Sequence, residues 1–306
     1  MRLLFAGTPV VAAHTLSYLL EHTGHEVVAV LTRPDAPQGR SKRPVPSPVA
    51  RLALDHGIEV HRPERAGDPQ FLRRLRELAP EACPVIAYGA LLPQPVLDVP
   101  AHGWLNVHYS LLPRWRGAAP VQRAILAGDG RTGVTVFRLV AAMDAGPVFA
   151  DRAVEIGPAE TSGMLLERLT PLGAGLLAET LDRLAAGTAV ATEQPGDGVT
   201  VAPKLTVAEA RLDWGRPAAE LARLVRACNP SPMAWTTYAG ERFRVLLAEA
   251  GDGGLPAGVI LPGRREVLVG TAEGVLRLLE VQPQGRRPMP AAAWANGLRG
   301  DLGSFA

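Results

Sequence analysis

The chain has 306 residues, 47% of them hydrophobic and 20% charged, which is enough apolar material for a full core and excludes wholesale disorder. At about 150 residues per domain the length suggests two domains. Lysine and arginine number 32 against 30 aspartates and glutamates, so a net charge of +2 excludes binding by bulk charge but leaves room for a local basic patch. Cys83 and Cys228 are too few for a disulfide framework or a cysteine-built zinc cluster, and they suit a reducing compartment. No leader and no apolar run of about 18 residues can be read, so the expected setting is cytoplasmic and away from membranes.

Short apolar runs alternate with helical patterns through the first 190 or so residues. Leu3–Ala6 reads as a buried strand, and Val10, Val11, Ala13, Leu16, Leu19 and Leu20 then follow helical spacing. Val27–Thr32 is a second strand. Ser47-Pro48 opens a helix to about His56, with Ser47 as N-cap and Pro48 at the first helical position. Asp68–Leu78 is amphipathic, Val85–Tyr88 and Leu105–His108 read as strands, and Ala118–Ala127 as a helix. Val134–Leu139 and Val148–Ile156 are further strands, followed by a long helix over Thr161–Ala186 that contains Pro171. This alternation predicts an α/β fold with a mostly parallel sheet covered by helices on both faces.

The expected first domain spans 1–187. Residues 188–204 are turn-rich and read as a linker, and 205–306 carry one helix, Ala218–Cys228, then short strand-like runs that predict a small β-barrel or sandwich. From Leu205 onward there are 12 arginines and 10 acids, whereas the charges before Leu205 cancel. A single loop in that neutral stretch stands out. Arg33, Arg40, Lys42, Arg43 and Arg51 face a single acid, Asp35, and Pro34, Pro37, Pro44, Pro46 and Pro48 stiffen the flanks. Such a run is often merely a solvated surface, but it can also contact phosphates.

The densest segment runs from Asn106 to Pro120, beginning at the end of a predicted strand, where an open α/β sheet places its ligand crevice. Asn106 and His108 share one strand face, so an amide donor stands beside an imidazole. Such a pair can polarise a carbonyl and stabilise the oxyanion that forms when it is attacked. Asp144, in a turn between two strands, is the candidate to orient and charge His108. Taken singly, an Asn and His two apart are more often a local polar pair, and an Asp beside a glycine is more often a turn residue. The remaining histidines show no metal-like spacing, and no metal is expected.

Several motifs together carry a resemblance. They are Phe5-Ala6-Gly7-Thr8-Pro9, Arg33-Pro34-Asp35, the Gly39–Arg43 loop, Ala87-Tyr88-Gly89, the Asn106–Pro120 run, Asn229-Pro230-Ser231-Pro232 and Gln282–Met289. With these the chain resembles, from end to end, the methionyl-tRNA formyltransferases among the folate-dependent formyltransferases. The resemblance implies a Rossmann-like catalytic domain followed by an OB-like β-barrel, with 10-formyltetrahydrofolate as formyl donor. It places catalysis on Asn106, His108 and Asp144. Folate contacts fall on Ser110, Leu111, Leu112 and Pro113, with Tyr88, Gly89 and Leu91 near the pterin. It assigns Arg40, Lys42 and Arg43 to the acceptor end of initiator methionyl-tRNA, the expected partner of a monomer that binds no DNA.

Two departures from the family pattern accompany this. Ala142-Met143-Asp144-Ala145-Gly146-Pro147 keeps the acid and glycine but lacks a hydroxyl and a second acid, and Ser231 replaces an aromatic. Two other readings stay open: a folate-dependent enzyme acting on a nucleotide-linked amino sugar, and an RNA-binding protein without catalysis.

Overall fold

The Leu3–Ala6 run forms the middle of strand β1 (Arg2–Gly7), where Leu3, Leu4, Phe5 and Ala6 are wholly buried at the heart of a seven-stranded sheet. The computed structural model describes residues 1–37, 43–298 and 302–306. Unit 1 comprises Met1–Gly117, Thr132–Val154 and Glu167–Val201, and unit 2 comprises Ala118–Arg131, Glu155–Leu166 and Ala202–Ala306. Residues 188–201 stay with unit 1, where Thr192 bridges to Val148 and Val201 to Arg116.

In chain order β1 is followed by α1 (Val10–His22), β2 (Glu26–Leu31), the two-residue strands β3 (Ala36–Pro37) and β4 (Pro44–Val45), and α2 (Pro48–Asp55). Then come β5 (Glu59–His61), α3 (Pro69–Leu78), β6 (Cys83–Ile86), α4 (Gln94–Leu97) and β7 (Trp104–His108). After α5 (Pro120–Ala127) the sheet resumes with β8 (Arg131–Arg138) and β9 (Val148–Glu155), and α6 (Ser162–Ala185) follows. The strand order is β5-β2-β1-β6-β7-β8-β9. Strands β5 to β7 pair in parallel, and β8 runs antiparallel to β7. This is the mostly parallel, Rossmann-like sheet that the alternation predicts.

Local chemistry fixes the helix starts. Ser47 Oγ accepts a hydrogen bond from the Ala50 N–H at 3.1 Å, with Pro48 at the first position of α2. Asp68 caps α3 through the Gln70 and Phe71 N–H groups, and Phe71, Leu75 and Leu78 turn inward. Strand β5, α4 and the β3–β4 ribbon carry no sequence signal because two to four residues complete no period of either pattern.

In unit 2, α5 packs against α7 (Ala218–Cys228), which covers the antiparallel sheet at β11. That sheet consists of β10 (Ala234–Tyr238), β11 (Glu241–Gly251), β12 (Ile260–Pro262), β13 (Val267–Gly270) and β14 (Val275–Pro283). Strand β15 (Met289–Pro290) pairs with β14 and leads into α8 (Ala291–Asn296). The order β10-β11-β14-β13-β12 leaves two edges, and residues 303–306 bind both of them. The Ile260 N–H donates to the Gly303 carbonyl and the Phe305 N–H to the Gly258 carbonyl, while Thr237 and Ala306 exchange two hydrogen bonds. Residues 303–306 thereby bridge one edge of the ladder to the other.

Phe305, 5% exposed, sits at that closure, stacked on Trp214 at 5.4 Å between centroids and tilted against Phe243 at 5.0 Å. Removing a buried aromatic ring typically costs about 3–5 kcal/mol. Phe305→Ala is expected to lower the midpoint of the unfolding transition followed by tryptophan fluorescence, to which Trp214 and Trp294 report. An unchanged midpoint would rule out a role for the closure in stability.

Candidate active site

His108 ends β7 with only 5% of its surface exposed, and Asn106, half-buried, lies two residues back on the same strand face. Backbone register sets Asn106 between Val85 of β6 and Phe137 of β8. The His108 Nε2 atom lies 2.8 Å from the Trp115 carbonyl. A carbonyl can only accept, so Nε2 carries the hydrogen, and in the neutral ring Nδ1 keeps its lone pair. Nδ1 faces Asp144 Oδ2 at 3.8 Å. Burial pulls the His108 pKa below its ordinary 6.5, with Asp144 first and the Trp115 carbonyl next opposing that pull. Burial thus favours the neutral ring at rest, against the imidazolium that sequence reasoning expects.

Asp144 reaches this place through a tight turn. Register puts Arg138 opposite Leu105, so the segment after β8 has to fold back to bring the carboxylate to His108. Asp144 adopts a left-handed φ of 48°, uncommon for a residue with a side chain. At Gly146 an added Cβ would fall 1.8 Å from the Arg138 carbonyl oxygen, so only glycine lets the turn close. Oδ2 of Asp144 accepts the Gly117 N–H at 2.7 Å. Gln194, from the turn-rich stretch before Val201, donates its amide hydrogens to the Asp144 and Gly146 carbonyls at 2.8 Å each. Its Oε1 accepts from Nε and Nη2 of Arg116 at 3.1 and 2.6 Å. Three consecutive residues thus hold the site: Trp115 takes the imidazole, Arg116 the Gln194 amide, and Gly117 the carboxylate. The segment is anchored in turn, because the Trp115 N–H donates to Thr200 Oγ1 and the Arg116 N–H to the Thr200 carbonyl.

The remaining expected residues fall into distinct settings. Ser110 is fully buried, and its hydroxyl donates to the Arg114 carbonyl at 2.6 Å, so it shapes its own loop. Thr135 Oγ1 donates to the Ser110 carbonyl and accepts the Leu112 N–H. Leu111, Leu112 and Pro113 are half-buried in that loop. Tyr88 is 2% exposed, its carbonyl accepts from Thr8 Oγ1, and its hydroxyl lies beside the Arg33 guanidinium. Gly89 follows with a φ of 84°, and Leu91 stands 89% exposed on the same loop.

Arg43 is exposed, while Arg40 and Lys42 lie outside the described residues. Among the described residues no three His, Cys, Asp or Glu side chains gather as metal ligands would, and no helix is long and apolar enough to cross a membrane. Sequence reasoning missed Gln194 and the task of the Arg116 side chain. A lone glutamine in a turn-rich stretch carries no pattern, and two of its partners are backbone carbonyls.

The site yields a direct prediction. A nuclear magnetic resonance titration of the His108 ring should show a midpoint below 6.5, and Asp144→Asn, by removing the group that raises it, should move the midpoint lower still. A midpoint above 6.5 in the native chain would contradict the neutral resting ring.

Comparison with known proteins identifies the family. The formyl transferase family matches residues 1–181, and the formyl transferase C-terminal domain family matches residues 204–299. The methionyl-tRNA formyltransferase of Parafrankia sp. (strain EAN1pec) is 54% identical over 303 residues, covering 98% of this chain and 97% of the relative. That of Thermobifida fusca is 55% identical with the same coverage. Among solved structures, Aquifex aeolicus HypX in complex with tetrahydrofolic acid aligns with a TM-score of 0.66 at 20% identity, over 97% of this chain and 47% of HypX. The sugar 3N-formyl transferase WlaRD aligns with a TM-score of 0.68 at 13% identity, over 94% of this chain and 99% of WlaRD, a likeness of fold alone. The chain belongs to the methionyl-tRNA formyltransferase family.

Proposed function

We propose that this chain transfers the formyl group of 10-formyltetrahydrofolate to the α-amine of methionine on initiator methionyl-tRNA, as a cytoplasmic monomer that binds neither DNA nor membrane. The observation that carries the reading is His108 Nδ1 facing Asp144 Oδ2 at 3.8 Å in a buried corner at the end of β7, within a chain similar over its whole length to enzymes of that name. Residues 1–187 are assigned the chemistry, 188–204 the connection, and 205–306 further contact with the tRNA. Trp235, its ring flanked by the Arg242 guanidinium at 4.2 Å and that of Arg211 at 5.7 Å, supplies the stacking and charge such contact uses.

The Ala87–Pro93 loop suits a flat, polar-edged ring system. Leu91 offers a bare apolar surface, and the buried Tyr88 hydroxyl lies beside the Arg33 guanidinium. Ser110–Pro113, Tyr88, Gly89 and Leu91 are the residues assigned to hold the formyl-folate, which supplies an electrophilic formyl carbon on a nitrogen. The Asn106 amide donates to the carbonyl oxygen as negative charge gathers there. His108 Nδ1, bare in the resting ring, takes the proton that the attacking amine gives up and returns it to the departing nitrogen. The Trp115 carbonyl holds the ring through Nε2, and Asp144 stabilises the imidazolium while it lasts. No covalent bond to the protein is needed.

Losing one oxyanion donor typically costs about 100- to 1,000-fold in rate. Asn106→Ala is expected to fall in that range in single-turnover formyl transfer, and His108→Ala, which removes the group that takes the proton, by about 100- to 10,000-fold; full rate in either would remove that residue's role. Arg40, Lys42 and Arg43 are assigned to tRNA phosphates. Replacing each by alanine should weaken tRNA binding and lower the slope of log K against log salt by about 1. The function itself is tested by comparing initiator with elongator methionyl-tRNA as acceptor. Transfer to initiator alone is expected, and transfer to a nucleotide-linked amino sugar without any to tRNA overturns the reading.

A further inference from the structure

Gln194 meets every hydrogen-bonding demand of its side-chain amide, and it does so between two groups of the site. Two hydrogens go to the carbonyls of Asp144 and Gly146, and the oxygen takes a two-pronged contact from Arg116. The opposite orientation of the amide would set its oxygen against two carbonyls and its hydrogens against a guanidinium, so the orientation is fixed by the partners. No other natural side chain of this length offers two hydrogens from one atom beside an acceptor. Asp144, meanwhile, needs an external hold: its left-handed φ of 48° and the closure at Gly146 make a turn that intrinsic preference does not maintain.

We propose that Gln194 is a positioning residue for the transfer reaction, clamping the Asp144 turn from its backbone side while Gly117 holds the carboxylate from the other. The proposal rests on the reading of Asp144 as the partner of His108. The Gln194 amide hydrogen-bonds to Arg116 and to the turn and not to His108, and it acts by keeping Oδ2 within reach of Nδ1. Arg116 completes the clamp, tying Gln194 to the same three-residue segment that receives His108 and Asp144. A rotation of the turn by about one ångström would separate the carboxylate from the ring without unfolding the sheet. Misplacement on that scale costs about 100-fold in rate.

The decisive variant is Gln194→Glu. It keeps the size of the side chain and its contact with Arg116 but has no hydrogens for the two carbonyls. Its kcat for formyl transfer is expected to fall about 10- to 100-fold, while KM for each substrate stays within about threefold. Made in an Asp144→Ala background, the same substitution should change kcat by no more than about twofold, because the group it positions is already gone. Should Gln194→Glu fail to fold, Arg116→Lys, which loses the two-pronged contact but keeps the charge, takes its place in the same cycle. A kcat for Gln194→Glu within about threefold of the native chain, or losses that multiply in the double variant, overturns the clamp. Full activity in Asp144→Ala alone overturns instead the reading of the site on which the clamp depends, and the two failures are told apart by that single variant.

Discussion

Burying His108 beside Asp144 obliges the surrounding backbone to supply partners, since an uncompensated neutral polar group costs about 2–7 kcal/mol when it leaves water. The demand is met locally: the Trp115 carbonyl accepts from Nε2 and the Gly117 N–H donates to Oδ2. Those two assignments leave Nδ1 as the one ring atom able to exchange a proton. The geometry of a short loop thus decides which nitrogen does chemistry, and the dryness around it decides that the nitrogen starts out bare. A carboxylate at 3.8 Å is close enough to favour the charged ring once a proton arrives, yet it does not charge the ring beforehand.

The sheet makes this arrangement possible by bringing distant segments to one place. Strand β7 ends where parallel strands direct their following loops, and β8 lies against it in the opposite sense. Phe137, wholly buried on β8, stands perpendicular to the His108 ring at 6.3 Å between centroids. Gly133, also on β8, leaves room for Leu111, whose Cδ2 would lie 2.6 Å from an added Cβ. The loop after His108 therefore rests on β8 as well as on its own hydrogen bonds.

Much of this was legible in the chain itself. Leu3–Ala6, the Ser47-Pro48 helix start and Ala218–Cys228 fold as their patterns predict, because each is long enough to express a period or carries a cap with a definite donor and acceptor. Asn106, His108 and Asp144 could be picked out because their side-chain chemistry is scarce and two of them share a strand face. The charge state of His108 could not be read that way, since burial is a property of the folded surroundings. Gln194 was hidden for a different reason: it donates to carbonyls that every residue possesses, and its one side-chain partner, Arg116, lies 78 positions away. The closure of the antiparallel sheet was equally silent, because Gly303–Ala306 has no alternation of its own and pairs with strands far away in sequence.

The way unit 2 recruits α5 bears on how the protein could be dissected. Helix α7 buries Leu221, Leu224 and Val225, and α5, which packs against it, buries Val121, Ala124 and Ile125 although it comes from the first half of the chain. A fragment begun at Lys204, where the second family match starts, would carry the whole closed ladder but leave that flank of α7 bare to water. Such a fragment would invite self-association through the uncovered flank. A faithful excision would have to graft the segment around Pro120–Ala127 back onto it, so the natural seam of this molecule does not coincide with any single cut in its backbone.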